Sequence, residues 1–145
     1  MNKKTIILGV VLVLSLISIG VYLLFFFNMF DTNFATEATL RFSVRDNVTG
    51  IFTHYEFPIT DDEDIIELKK IFRGRAVRDS PSCGFSTTVS ITMYGEEESL
   101  TFSPALDGCP IVQVGNDRQF MAIDYYQRAI LDEIFKRFGL TFPAV

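Results

Sequence analysis

The sequence predicts an α+β protein: an N-terminal transmembrane helix, then a two-layer domain in which a mainly antiparallel sheet of about 5-6 strands is covered by two helices. Three observations carry this expectation. No charged residue occurs from Thr5 through Phe30. Further along, alternating apolar and polar runs are broken by turn residues, the pattern of hairpins with one buried face. Two other segments combine capping residues, an apolar stripe at helical spacing and a closing glycine. Residues 1–30 are thus expected to form a cytoplasmic tip and membrane anchor, 31–38 a tether, and 39–145 an extracytoplasmic α+β domain.

In "MNKKTIILGVVLVLSLISIGVYLLFFFNMF" the apolar run is longer than the h-region of a cleaved signal peptide. About 22 apolar residues make a helix of roughly 33 Å, which matches a hydrocarbon core of about 30 Å. The expectation is an uncleaved anchor that contacts membrane lipid, with secretion after signal cleavage as the alternative. Lys3 and Lys4 precede the run, whereas Asp31 and Glu37 are the first charges after it. That asymmetry places the N-terminus in the cytoplasm and the C-terminal domain outside a plasma membrane crossed once.

The domain begins with "TLRFSVRD", where Leu40, Phe42 and Val44 alternate with Arg41, Ser43 and Arg45. "NVTG" is a turn, and "IFTHYEFPI" returns with Tyr55 and Phe57 on one face and Phe52, His54 and Glu56 on the other. "TDDE" reads as a capping box from Thr60 to Glu63, so a helix is expected from Asp61, with Ile65, Leu68, Ile71 and Phe72 inward and Gly74 as its stop. "RGRAVRDSPSCGF" reads as the longest irregular stretch. Beyond it, "TTVSITMYG" and "SLTFSP" form a second hairpin around "EEE", and "CPIVQVG" and "RQFMAID" are two shorter strands joined at "GND". Asp124 then caps a closing helix with Gln127 at the third position, and Ile130, Leu131, Ile134, Phe135 and Phe138 form its inner stripe. The endings "KKIFRG" and "FKRFG" suggest a ββα unit followed by an elaborated copy of itself.

Cys83 and Cys109 are the two cysteines of a domain expected outside the cytoplasm, where thiols oxidise. A disulfide between them closes a loop of about 27 residues, worth roughly 3.5 kcal/mol in the loop-entropy account. Two free thiols, a redox pair and a metal site are the alternatives. The cysteines lack C-x-x-C spacing, and the one histidine, His54, supplies too few soft ligands, so neither a metal nor any other cofactor is expected.

His54 sits mid-strand, and no serine or cysteine is assigned to it by spacing, so no catalytic residue is expected. "DDED" at Asp61 to Asp64 fits the electrostatics of a helix start, and Glu96 to Glu98 a solvated turn; neither has the spacing of a calcium loop. Asn47-Val48-Thr49 matches an N-glycosylation sequon. Phe52, His54, Tyr94, Tyr125 and Tyr126 fall on polar-facing sides of their elements and are a candidate partner patch. Without Lys3 and Lys4 the chain has 11 basic and 18 acidic residues, a balance of −7 that argues against nucleic acid as a partner.

The run "DSPSCGFSTTVSITM", followed by "TFSPALDGCPIVQV" and "FGLTFP", resembles a pattern in small membrane-anchored or secreted proteins of Gram-positive gut bacteria, a group with no assigned activity. The resemblance covers most of the outer domain. It implies a bacterial source and the pairing of the cysteines, and it supplies no mechanism. The functional expectation is a membrane-tethered extracytoplasmic domain, a binder rather than an enzyme, that recognises a protein, peptide or envelope component. A thiol- or cation-dependent envelope enzyme and a toxin-immunity membrane protein are the alternatives.

Overall fold

The structure, a computed structural model, describes residues 3–26, 29–77, 81–85, 88–116 and 118–140, and within the first helix the side chains of 9–22. Its elements are α1 (Lys3–Phe26), β1 (Met29–Phe30), β2 (Glu37–Arg45), β3 (Phe52–Ile59), α2 (Asp62–Ile71), β4 (Gly74–Val77), β5 (Val89–Tyr94), β6 (Ser99–Pro104), β7 (Ile111–Val114), β8 (Gln119–Ala122) and α3 (Tyr125–Arg137). The strands form one antiparallel sheet in the order β1-β4-β8-β7-β6-β5-β2-β3.

This corrects the expected architecture in two respects. Among the described residues no helix is long and apolar enough to cross a membrane, so the transmembrane helix is withdrawn from the fold. The sheet also has eight strands rather than about 5-6. The additional strands are β1 and β4, both short, in stretches expected to be anchor and irregular loop. β4 is "GRAV", which has no alternation to mark it. It becomes a strand because β8 offers a free edge, pairing Ala76 with Met121 and Val77 with Phe120.

Each turn and cap has a local cause. Between β2 and β3 the Asp46 carboxylate accepts from the amides of Val48 at 2.7 Å and Thr49 at 2.8 Å, and Gly50 turns the chain at φ 72°. Those two amides hold the Asp46 carboxyl below its ordinary pKa. α2 is capped by Asp61 and not Thr60: Asp61 Oδ1 accepts from Glu63 N at 2.9 Å and Asp64 N at 3.2 Å. A carboxylate one residue on satisfies the same orphan amides and adds favourable charge at the helix start. The Asp124–Gln127 box forms in both directions, at 2.7 and 2.9 Å.

The core lies between one sheet face and the two helices. Leu40, Ile91, Phe102 and Val114 are register neighbours across four strands, with Ala38 and Met93 in the adjoining row. Against them pack Leu68, Ile71 and Phe72 from α2 and its end, and Leu131, Ile134 and Phe135 from α3. Phe72 stacks on Phe102 with ring centroids 4.1 Å apart. Toward the β3 edge the same face carries Phe42, Tyr55 and Phe57, and Phe138 closes onto Phe57 at 5.6 Å. Both ends of the 31–38 segment are tied in. Thr32 and Ala35 are buried, Thr32 Oγ1 donates to Lys69 O, and Thr36 N donates to Tyr94 O at 2.7 Å. A segment expected to be a tether is part of the packed domain.

Because facing residues of paired strands point to the same side, burial of Leu40 and Ile91 puts Arg41, Ser43, His54, Glu56 and Ser90 on the opposite side. Near β8 that opposite side is covered by residues 81–85, where Phe85 packs on Phe120 at 5.1 Å. Among the described residues it is open over β3 and β2, where Arg41, Arg45, His54 and Glu56 are exposed, and reaches the Ser90 end of β5, whereas Thr92 further along that strand is buried.

Candidate functional site

The open part of the sheet holds a shallow concavity of about 380 Å³ lined by residues of β2, β3 and β5 and by Thr88. The hairpin register builds it. Ser43 faces His54 and Arg41 faces Glu56, so each pair meets across the strands. Ser43 Oγ lies 2.7 Å from His54 Nδ1, and Arg41 Nε lies 2.8 Å from Glu56 Oε1. Both charged side chains are at least half exposed, which makes this ion pair a weak contributor to stability. At the outer end the Arg45 guanidinium sits over the Phe52 ring, 5.9 Å from its centroid. Ser90 adds a hydroxyl beside Arg41 from the next strand.

Among the described residues the Ser43–His54 pair is not joined by a third group that orients the imidazole. The ring nitrogen facing Ser43 is Nδ1, and the nearest strand acid, Glu56, is engaged with Arg41. A serine nucleophile also needs a group that orients its base and a pair of free N–H donors for the oxyanion. In the middle of a paired strand the backbone donors belong to the ladder. The site can hold a ligand by hydrogen bonds and charge; the described residues do not activate a nucleophile.

Phe52 and His54 of the expected patch are brought together here. Tyr94 is on the same face but at the far end of β5, paired with Glu37. Tyr125 and Tyr126 are strongly exposed at the start of α3. They follow β8, five strands from β3, which is roughly 24 Å at about 4.8 Å per strand. The patch is therefore two separate surfaces. Arg41, Ser43, Glu56 and Ser90 were not singled out from sequence, although the alternation of β2 already set Arg41 and Ser43 apart from its apolar positions.

The cysteines are joined: Cys83 and Cys109 form a disulfide with Cα atoms 6.1 Å apart. Asp107 clamps the same junction, accepting from Gly84 N at 2.9 Å and Cys109 N at 3.1 Å, and Leu106 N donates to Gly84 O at 2.8 Å. The Gly84 amide, and after it the Cys109 amide, holds the Asp107 carboxyl below its ordinary pKa. Behind the loop, Arg128 is buried; its Nη1 donates to Ala105 O at 2.9 Å and Cys109 O at 3.3 Å, and its Nε pairs with Asp132 at 2.8 Å. Burial pushes the Asp132 carboxyl up, against the opposing pull of Arg128. Arg128 was invisible as a key residue in the sequence, where it is one more charge on an amphipathic helix. Cys83, Asp107 and Cys109 lie close enough to suggest a metal, but their sulfurs are bonded to each other and a metal ligand must be a thiolate.

A second, wider groove runs between α2 and α3, past Asp64, Glu67, Glu133 and Arg137. Its central charges answer each other, since the half-exposed Arg137 pairs with the largely buried Asp64. The open sheet face is the better candidate, because its polar groups converge without being buried. No family model, no curated protein and no solved structure matches this chain.

Proposed function

We propose that this chain is an extracytoplasmic binding domain that recognises a protein, peptide or envelope component through the open face of its sheet, and does not catalyse a reaction. One observation carries the reading. A sheet sealed on one side by two helices leaves, on the other, a concavity of exposed and mutually paired polar groups around Ser43, His54, Arg41 and Glu56. The disulfide supports placement outside the cytoplasm, since such bonds persist where thiols oxidise.

Site-directed photocrosslinking tests this. A photoreactive residue replaces His54 on the open face or Glu133 on the exposed side of α3, and the chain is presented to whole-cell surface material. Discrete adducts from position 54 and none from position 133 are expected. Adducts only from position 133, or none from either, overturn the assignment of the face.

A further inference from the structure

We infer that the concavity takes an acidic saccharide, a short chain of sugar rings bearing carboxylates; this rests on reading the open face as the ligand-binding surface. Charge is the first ground. The chain carries −5 overall, yet this part of the face presents the two guanidinium groups of Arg41 and Arg45 against the Glu56 carboxylate. The Arg41–Glu56 contact uses Nε, so the two Nη nitrogens of Arg41 are not taken by that pair. A locally basic patch on an acidic protein attracts anions selectively and repels them elsewhere.

Spacing is the second ground. Arg41 and Arg45 lie on the same strand face four residues apart, roughly 13 Å at about 3.3 Å per residue. To meet one carboxylate together, both side chains would have to leave their present neighbours, Glu56 for Arg41 and the Phe52 ring for Arg45. A chain that repeats its carboxylates along its length can meet both where they stand, with the intervening hydroxyls set against Ser43, His54 and Ser90. These are small side chains that both donate and accept, the property a sugar hydroxyl needs in a partner. The half-exposed Phe52 ring supplies a flat apolar wall at the outer end.

Position within the sheet is the third ground, and it separates a saccharide from a peptide. An extended peptide joins a sheet through the backbone of an edge strand. Here the edge is β3, whereas both arginines and Ser43 are on β2, one strand inward. The groups that converge are side chains on a face and not backbone on an edge.

The test is an NMR titration of the full-length chain with three probes: tetragalacturonate, the neutral maltotetraose, and a hexaglutamate peptide. Saturable shifts of the Ser43, His54 and Ser90 amides with tetragalacturonate alone are expected. Arg41→Gln and Arg45→Gln should each weaken that binding about tenfold, the loss of one charged hydrogen bond. Lys136→Gln on α3 should leave it unchanged, and the amide spectrum of each variant confirms that it folds. Equal binding of maltotetraose overturns the role of charge. Equal binding of hexaglutamate at the same amides overturns the saccharide class while leaving the face as a binding surface. Silence from all three probes overturns the inference, and crosslinking from position 54 then decides the broader reading independently.

Discussion

Removing the disulfide should cost this domain a large part of its stability. The bond joins residues 26 apart in sequence. In the loop-entropy account, a loop of that size restrains the unfolded chain by about 12 cal/mol/K, or roughly 3.5 kcal/mol at 25 °C. That is a substantial share of the roughly 5–15 kcal/mol that stabilises a domain. A domain of about 110 residues unfolds with an entropy near 0.23 kcal/mol/K, so the melting temperature of Cys83→Ala/Cys109→Ala should fall by about 15 °C. The native contacts around the bond favour this full effect. Asp107 and Leu106 hold Gly84 in place without the sulfurs, so the folded geometry survives and the loss falls mainly on the unfolded state. Thermal melts and urea titrations of wild type, reduced wild type and the double variant measure it. The variant should also unfold with a larger urea slope, because an unlinked chain exposes more surface. A loss under about 1 kcal/mol with an unchanged slope would refute the reasoning, because it would mean that the unfolded ensemble does not use the freedom returned to it.

Three further outcomes follow from the same region and from one close contact. The Asp107 carboxyl titrates below its ordinary value in the folded state, so its contribution is complete above the unfolded pKa of about 3.9 and is lost as pH falls through its lower folded value. Asp107→Asn should therefore lower the melting temperature at neutral pH and flatten its decline below about pH 4; an unchanged acid limb would remove Asp107 from the clamp. Arg128→Met takes the buried guanidinium donor from the Ala105 carbonyl and one of two donors from the Cys109 carbonyl, which keeps Ile111 N, leaves Asp132 without its partner, and should cost about 2–4 kcal/mol by urea denaturation. A variant as stable as wild type would show that these groups find other donors. At Gly95 a Cβ would stand 2.6 Å from the Phe34 carbonyl oxygen, a backbone atom that cannot swing aside. Gly95→Ala should destabilise by about 1–3 kcal/mol and displace the 31–36 segment, visible as increased hydrogen exchange at Thr36, whose amide bonds Tyr94 O.

The comparison of sequence with structure divides by the range of the forces involved. Helix starts and stripes are local. Asp124 and Gln127 are three residues apart and satisfy each other wherever the helix sits, and Ile65, Leu68 and Ile71 face inward on any sheet. The strand alternation of β2 and β3 is equally local, and with it the separation of Leu40 and Phe42 from Arg41 and Ser43. Two errors came from treating a local pattern as sufficient. A charge-free run was read as a membrane span, and Thr60 was preferred to its neighbour Asp61 as a cap although both fit the pattern by side-chain chemistry. β1 and β4 could not be read, because nothing in "MF" or "GRAV" alternates; a strand of two to four residues exists by virtue of its partner.

By itself, then, the sequence determined where the chain would turn, where its two packed helices would start to within a residue, and which of their residues would point inward, since those preferences depend on atoms within a few positions along the chain. It also determined that two thiols existed to be paired. The tertiary structure alone decided that β2 would run beside both β3 and β5, and so that Ser43, His54, Arg41, Glu56 and Ser90 would share one open face. It alone decided that Arg128 would be buried under the Cys109 loop. Register and burial are set by the packing of the whole core, and a surface charge becomes a structural bolt, or part of a binding face, only when residues tens of positions away close around it.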